Sequence, residues 1–495
     1  MASPIAKLFG QTALYGLPSI LGRLLNYLLV PLYTAVFAKP ADYGVLSDLY
    51  AYVAFLMVLL PLGMETAYFR FIQEEPDNDK VFNNAFIPVV LMNSGVFLML
   101  YFTNPWIAKW MLYKEHTEYI LLIGSIVCID AISALPLARL RAENQSRRFV
   151  SVQMSSIFVN IALNLVFLLV FFNPNRPEEG ILFVLIANLL ASVLKVVRVY
   201  DIIARIRIAA DWQLIKKMLW YAWPLMVAGF AGIINETLDR VLLKQLLYDP
   251  NIPNSLEQAT AQVGIYSACY KLALLVTILL QAYRYAAEPF FFGQLKNQDR
   301  EAVFARVMNL FIAAVCLAFL AVSINIGILK FFIRKEAYYV GLKVVPILLF
   351  ANVCLGIYYN QSVWYKLSNK TKYGAYIALI GALITILINV LFIPMYGYMA
   401  SAWATLLAYL TQMILSYYWG QKHYPIPYNT RKFFLYIGSA IGIYCLFSLL
   451  RTGFKLSIKE FNFGLLLIGN VLIVGYIYLV YRNEKALFRI KRPQT

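Results

Sequence analysis

Apolar residues fall in long unbroken runs along the whole chain, separated by short polar stretches that carry most of the charge. About fourteen runs are distinguishable, near 11–37, 44–73, 83–102, 118–138, 149–172, 181–201, 219–243, 263–285, 302–327, 338–364, 374–394, 397–419, 432–450 and 463–481. Each holds about twenty residues, enough for a helix to cross about 30 Å of hydrocarbon. The pattern predicts an all-α polytopic membrane protein with about 14 transmembrane helices. The stretches between runs do not exceed about 25 residues, too short for a folded soluble domain. The first run is too long for the apolar core of a cleaved leader, carries Arg23 and lacks a small-residue cleavage site, so it reads as the first span.

The runs repeat. In Ile384–Tyr409 an apolar run reaches Pro394, turns at Tyr396-Gly397 and resumes with Ala400, Ala404 and Ala408 spaced i, i+4, i+8, a flat strip that lets a neighbouring helix approach closely. Gly180 and Ala187-Asn-Leu-Leu-Ala191 line up with Gly397 and Ala404-Thr-Leu-Leu-Ala408. Tyr15-Gly-Leu-Pro18 matches Tyr221-Ala-Trp-Pro224, and Tyr43-Gly44 through Tyr50 matches Val263-Gly264 through Tyr270. Spans one, two, five and six thus correspond to seven, eight, eleven and twelve, which predicts a parallel repeat. The expected organisation is an N-lobe at 1–205, a C-lobe at 206–425 around a central cavity, and two appended helices with a tail at 426–495.

Composition agrees: 61% of the residues are hydrophobic and 14% charged. The formal charge of +18 has an ordinary source in such a protein. Lysine and arginine concentrate in alternate loops, such as Arg139/Arg141/Arg147/Arg148 and Lys366/Lys370/Lys372, and in the tail at Arg482/Lys485/Arg489. That bias places both termini in the cytoplasm and removes the need for a nucleic-acid partner. The five cysteines, Cys128, Cys269, Cys316, Cys354 and Cys445, fall inside apolar runs with no CxxC pair and read as small buried hydrophobes. His116 and His423 sit in predicted loops, so neither a metal site nor a histidine acid–base site is expected. There is no GxxxxGK[ST] motif for direct ATP use, and no cofactor is expected.

Charges inside apolar runs mark candidate functional positions, because each costs about 2.5 kcal/mol or more near the bilayer centre. Arg23, with Asn26 on about the same face of span one, reads as an anion-binding arginine of the cavity or as a structural partner of Asp130 or Glu65. A guanidinium fits phosphate bidentately, which favours the first reading. Lys271 in span eight is a second phosphate contact or a partner of Asp239. Glu236, Asp239 and Arg240 cluster near one end of span seven, where Glu236 and Arg240 have i, i+4 spacing; they form a salt-bridge clasp, a gate or a coupling carboxylate. Glu65 and Arg70 end span two, and Arg284 and Glu288 end span eight at corresponding positions; they serve an inner gate or headgroup contact, or snorkel to the interface. Asp130 stands alone in span four, as a partner of Arg23 or as a coupling site. Most of the 36 tyrosines and 8 tryptophans belong to interfacial belts and packing; Tyr266 and Tyr358 are candidates for stacking on a sugar.

Four stretches resemble one family, the polysaccharide transporter branch of the multidrug/oligosaccharidyl-lipid/polysaccharide exporter superfamily, the Wzx-type lipid-linked oligosaccharide flippases. They are Asp239-Arg240 followed by Val263 through Lys271, Ala287-Glu288-Pro289-Phe290, Lys370-Thr371-Lys372, and Asn389 through Thr405, in which Ala400 and Ser401 replace the family's second Gly and the following Ala. The resemblance covers nearly the whole chain. It implies alternating access and movement of an undecaprenyl-pyrophosphate-linked oligosaccharide across the bacterial cytoplasmic (inner) membrane. The pyrophosphate would be held by cavity cations, a role that falls on Arg23, Lys271 and Arg284. The partners it implies are that lipid-linked glycan, membrane lipids, glycan polymerase machinery, and H+ or Na+ as coupling ion.

Three alternatives stand beside it. A lipid II flippase of the MurJ type also has fourteen spans and a cationic cavity. A multidrug/cation antiporter usually has twelve spans and a carboxylate-rich cavity, which the appended spans and Arg23 disfavour. A membrane glycan polymerase needs a sizeable outer loop with catalytic residues, and the largest one expected here, Tyr248–Gln262, holds only Asp249 and Glu257 as acids.

Overall fold

The computed structural model describes residues 21–488 except 23, 26, 207–209, 295–297 and 369, and leaves out the side chains of 285, 286, 288, 289, 292 and 486–488. The described residues form helices joined by short turns, with no strand among them. They are α1 (Leu29–Val36), α2 (Pro40–Phe71), α3 (Asn78–Trp110), α4 (Thr117–Ala142), α5 (Ser146–Phe171), α6 (Pro177–Arg198) and α7 (Trp212–Leu247). Then follow α8 (Ser255–Gly293), α9 (Arg300–Ile324), α10 (Glu336–Leu367), α11 (Lys372–Tyr396), α12 (Tyr398–His423), α13 (Thr430–Gly453) and α14 (Phe463–Phe488). Thirteen helices, α2 to α14, are long and apolar enough to span a membrane. They match expected spans two to fourteen one for one. The first expected span lies partly outside the described residues, and α1 is its described end. Large apolar side chains stand exposed along these helices, among them Phe102, Trp106, Val170, Met395 and Leu449, as expected of surfaces that face lipid rather than water.

Several helices run beyond their apolar runs. Helix α7 starts at Trp212, where Asp211 caps it by accepting hydrogen bonds from the Gln213 and Leu214 amides at 3.1 Å. Lys80 Nζ lies 2.9 Å from the same carboxylate. The lysine first, and the amides after it, hold the Asp211 carboxyl below the usual range. The Arg148 guanidinium does the same for Asp201. Helix α8 starts at Ser255, so the loop expected over 248–262 is shortened to 248–254. Ser255 Oγ accepts from the Asp249 amide at 2.8 Å and closes that loop on itself.

The turn between α11 and α12 is where the sequence places it. Helix α11 continues two residues past Pro394 to Tyr396, and Gly397 then adopts φ +54°. A Cβ there would also strike the Gln262 side chain, whose Oε1 accepts from the Tyr398 amide at 3.1 Å. Asn389 and Ser401, on either side of the turn, are joined Oγ to Oδ1 at 2.8 Å. Ala400, Ala404 and Ala408 are buried, as are Ala187 and Ala191 in the matching stretch. Among the cysteines one expectation fails: Cys445 is exposed, because it lies among the outward-facing apolar positions of α13.

The chain divides into two compact units. The first is Met1–Ser267 with Ala378–Ser401, in which α3 packs on α4, α5 on α6, and α2 along α7. The second is Ala268–Ile377 with Ala402–Thr495. There α9 is the central helix, packed against α10, α13 and α14. The last two helices are pinned by polar contacts: Asn325 and Asn470 exchange amide hydrogen bonds, and Lys432 Nζ and Tyr436 OH both donate to Glu484 Oε1 at 2.7 Å.

Candidate functional site

The first unit holds several charged contacts within its spanning helices. The most deeply buried joins α2 to α7. Asp48 and Lys244 have no exposed side-chain surface and form an ion pair through Asp48 Oδ2. Tyr113, in the turn after α3, donates its OH to the same oxygen at 2.7 Å. Lys244 Nζ also donates to the Met111 carbonyl at 2.8 Å and lies 3.9 Å from the centre of the Tyr113 ring. Groups from three segments thus converge on one buried ion pair. One turn back along α7, Asp239 accepts from Arg240 Nη1 at 2.9 Å and from the Tyr266 OH at 2.6 Å. Asn235, on the face of α7 that Asp239 shares, takes the Thr385 hydroxyl at 2.8 Å.

A second polar path lies among α1, α2, α4, α5 and α6. Lys195 Nζ is 2.5 Å from Asp130 Oδ1, both largely buried. Asn188 donates to the Tyr50 OH at 3.0 Å, and Tyr33 donates to Asn164 at 2.9 Å. At the other end of α2, Arg141 pairs with Glu65, and its guanidinium stacks over Phe69 and Phe149.

In the second unit, Arg284 stands exposed on α8 with its guanidinium 5.2 Å from the Tyr359 ring centre. Asn360 donates to Tyr283 OH, and the hydroxyls of Tyr358 and Tyr365 lie 3.4 Å apart. An exposed cation beside a bank of tyrosines can bind a phosphate and stack on a sugar ring.

The expected site residues sort as follows. Arg23 and Asn26 lie outside the described residues, as does the side chain of Glu288. Lys271 is half-buried on α8. Asp130 pairs with Lys195, which lies inside the run at 181–201. Arg240 takes its carboxylate from Asp239 and reaches Glu236 through that residue's carbonyl oxygen at 2.5 Å. Arg70 pairs with Glu74 at 3.3 Å and stacks over Tyr221, on an exposed stretch of α2. Tyr266 is fully buried and spends its hydroxyl on Asp239. Asp48 and Lys244 are functional candidates that the sequence alone does not single out. Asp48 lies inside the matched Tyr43–Tyr50 stretch, and Lys244 falls one residue past the apolar run of span seven.

Among solved structures, similarity is found to "Lipid II flippase MurJ, inward closed conformation", with a TM-score of 0.74 and 14% identity over 95% of this chain and 99% of that one. It extends to an inward-facing multidrug resistance MATE family transporter of the MOP superfamily, with a TM-score of 0.60 and 12% identity over 83% of this chain and 94% of that one. A MATE structure in the straight conformation aligns with a TM-score of 0.59 and 12% identity, over 85% of this chain and 96% of that one. At these identities the likeness is one of fold. No curated protein sequence matches the chain. A sequence family described as "Polysaccharide biosynthesis protein" matches residues 10–293, more than half of the chain. This multi-pass membrane protein belongs to the polysaccharide biosynthesis protein family.

Proposed function

We propose that the protein is a flippase that carries an undecaprenyl-pyrophosphate-linked oligosaccharide, the repeat unit of an O-antigen, capsule or exopolysaccharide, across the bacterial inner membrane. The observation that carries this reading is the polysaccharide biosynthesis family match on a chain with an exporter fold. In this reading the lobes at 1–205 and 206–425 alternate access to a cationic cavity, with 426–495 appended. The sugar and pyrophosphate pass through the cavity while the lipid tail stays in the bilayer. Arg23, Lys271 and Arg284 hold the pyrophosphate, and tyrosines such as Tyr359 offer a face to the sugar. Asp130 with Lys195, Asp239 with Arg240, and Glu65 with Arg141 are the candidates for gating or for coupling to H+ or Na+. Both termini are cytoplasmic, and a glycan polymerase receives the product.

The experiment uses cells that lack the native gene. Arg23→Ala, Arg23→Lys and Arg284→Ala are expressed at matched membrane levels, and surface glycan and undecaprenyl-linked precursor are measured. The expected result is lost glycan, precursor rising severalfold and poor rescue by Arg23→Lys, because an ammonium lacks the bidentate fit. Unchanged glycan in all three variants removes these residues from the headgroup site.

A second reading, a lipid II flippase, is favoured by the similarity to MurJ over nearly the whole chain. Rescue of cells depleted of their peptidoglycan flippase separates the two: rescue supports lipid II as cargo, and its absence together with restored surface glycan supports the first reading.

A further inference from the structure

Three contacts stack at one end of the first unit, where the start of α2, the ends of α3 and α7 and the start of α8 converge. At the rim, Lys39 Nζ meets Glu257 Oε1 at 2.9 Å, with both side chains exposed. One turn further in, α2 crosses α8 at Gly44 and Gly264. A Cβ on Gly44 would run into the Thr260 carbonyl, and one on Gly264 into the Pro40 carbonyl. These two glycines occupy matching places in the internal repeat. Another turn in lies the Asp48–Lys244 pair with Tyr113 and the Met111 carbonyl. Pro40, Gly44 and Asp48 are spaced i, i+4, i+8 and line one face of α2.

Stability does not account for the innermost pair. Two apolar side chains of similar volume fill such a site at least as well. Asp48 Oδ1 is buried there without a hydrogen-bond partner. An ion pair differs from an apolar pair in having two arrangements open to it, paired when the end is closed and hydrated, with Asp48 Oδ1 then satisfied, when water enters. The layers above it are built to part. Gly44 and Gly264 meet backbone to backbone without interdigitated side chains, and an exposed rim pair holds weakly. Beside the pair, an apolar cavity of about 370 Å³ lined by Tyr52, Trp110, Met111, Phe230 and Val241 leaves α2 and α7 room to shift.

We propose that Asp48 and Lys244 are gating residues, a latch that holds this end closed and must separate for it to open during transport. The proposal rests on the reading of the chain as a transporter. It is tested in a cysteine-free background carrying Thr260→Cys, a thiol at the crossing on a residue only 4% exposed. Labelling by a membrane-impermeant maleimide is followed in sealed vesicles, from the face that holds Lys39 and Glu257. In Asp48→Leu/Lys244→Met, which strands no charge but gains nothing from hydration on opening, labelling is expected severalfold slower than in the parent. In Lys39→Cys/Glu257→Cys, joined by a short reducible cross-linker, transport is expected to stop and to return on reduction. This arm alters only exposed residues, so it decides the question should the double variant fold poorly. Equal labelling rates in latch variant and parent, or transport that survives the cross-link, overturns the latch. Failure of the transport reading looks different: the latch variant opens more slowly, yet the parent itself moves no lipid-linked glycan.

Discussion

Lys244→Met alone should cost the folded protein about 3–5 kcal/mol, because it leaves the Asp48 carboxylate buried without its counter-charge. Asp48→Leu alone should cost a similar amount by stranding the ammonium. The double variant should recover most of the loss, since replacing a whole buried pair by apolar residues is close to neutral. Both side chains are fully buried, so neither reaches water to repair the damage. Tyr113 and the Met111 carbonyl still offer dipoles, which keeps the cost below that of an isolated ion. Thermal unfolding of the purified proteins in detergent gives the cycle. Single variants as stable as the parent would show that the pair is not ionised when buried.

Gly44→Ala and Gly264→Ala should each destabilise by about 1–3 kcal/mol or more, the range for over-packing. The obstacles are the Thr260 and Pro40 carbonyls, backbone atoms that cannot rotate aside. A flexible side chain in their place would make the same change mild. Gly95→Ala in α3 is the matched control, since nothing lies within 4 Å of a Cβ built there. In a helix that substitution gains up to about 1 kcal/mol of propensity. Melting temperatures of the three variants should therefore split, two falling and one holding or rising. A uniform response would mean that the α2–α8 crossing is not closely packed.

The sequence displayed the fold plainly because the bilayer imposes one rule on every span: an apolar run long enough to cross it. That rule located thirteen helices among the described residues, and the break at Tyr396-Gly397 located the turn between α11 and α12. It located their ends less well. Helices α3, α7 and α8 continue past the apolar runs, since backbone hydrogen bonding does not stop where the hydrocarbon does. The repeat paired Gly44 with Gly264 in sequence, but alignment alone says nothing of contact, and the two glycines face each other only because α2 and α8 cross. Charge pairing was the least legible feature. Spacing suggested Glu236 for Arg240, whereas the guanidinium folds onto its neighbour Asp239 and leaves Glu236 only a carbonyl contact. Asp130 stood alone in its helix because its partner, Lys195, lies on α6, a separation no local periodicity encodes. Asp48 and Lys244 were hidden for the same reason, brought together from positions far apart in the chain.

Movement of lipid-linked glycans by this chain is measurable in sealed proteoliposomes. Purified protein is reconstituted with a fluorescent undecaprenyl-pyrophosphate-linked oligosaccharide, and the fraction reached by a membrane-impermeant glycosidase is followed over time. Cleavage is expected to pass the half-accessible level of a static bilayer and approach completion, at a rate set by protein density and lowered by Arg284→Ala. A plateau at half, with monodisperse protein in tight vesicles and a lipid II flippase active in parallel, would overturn this function.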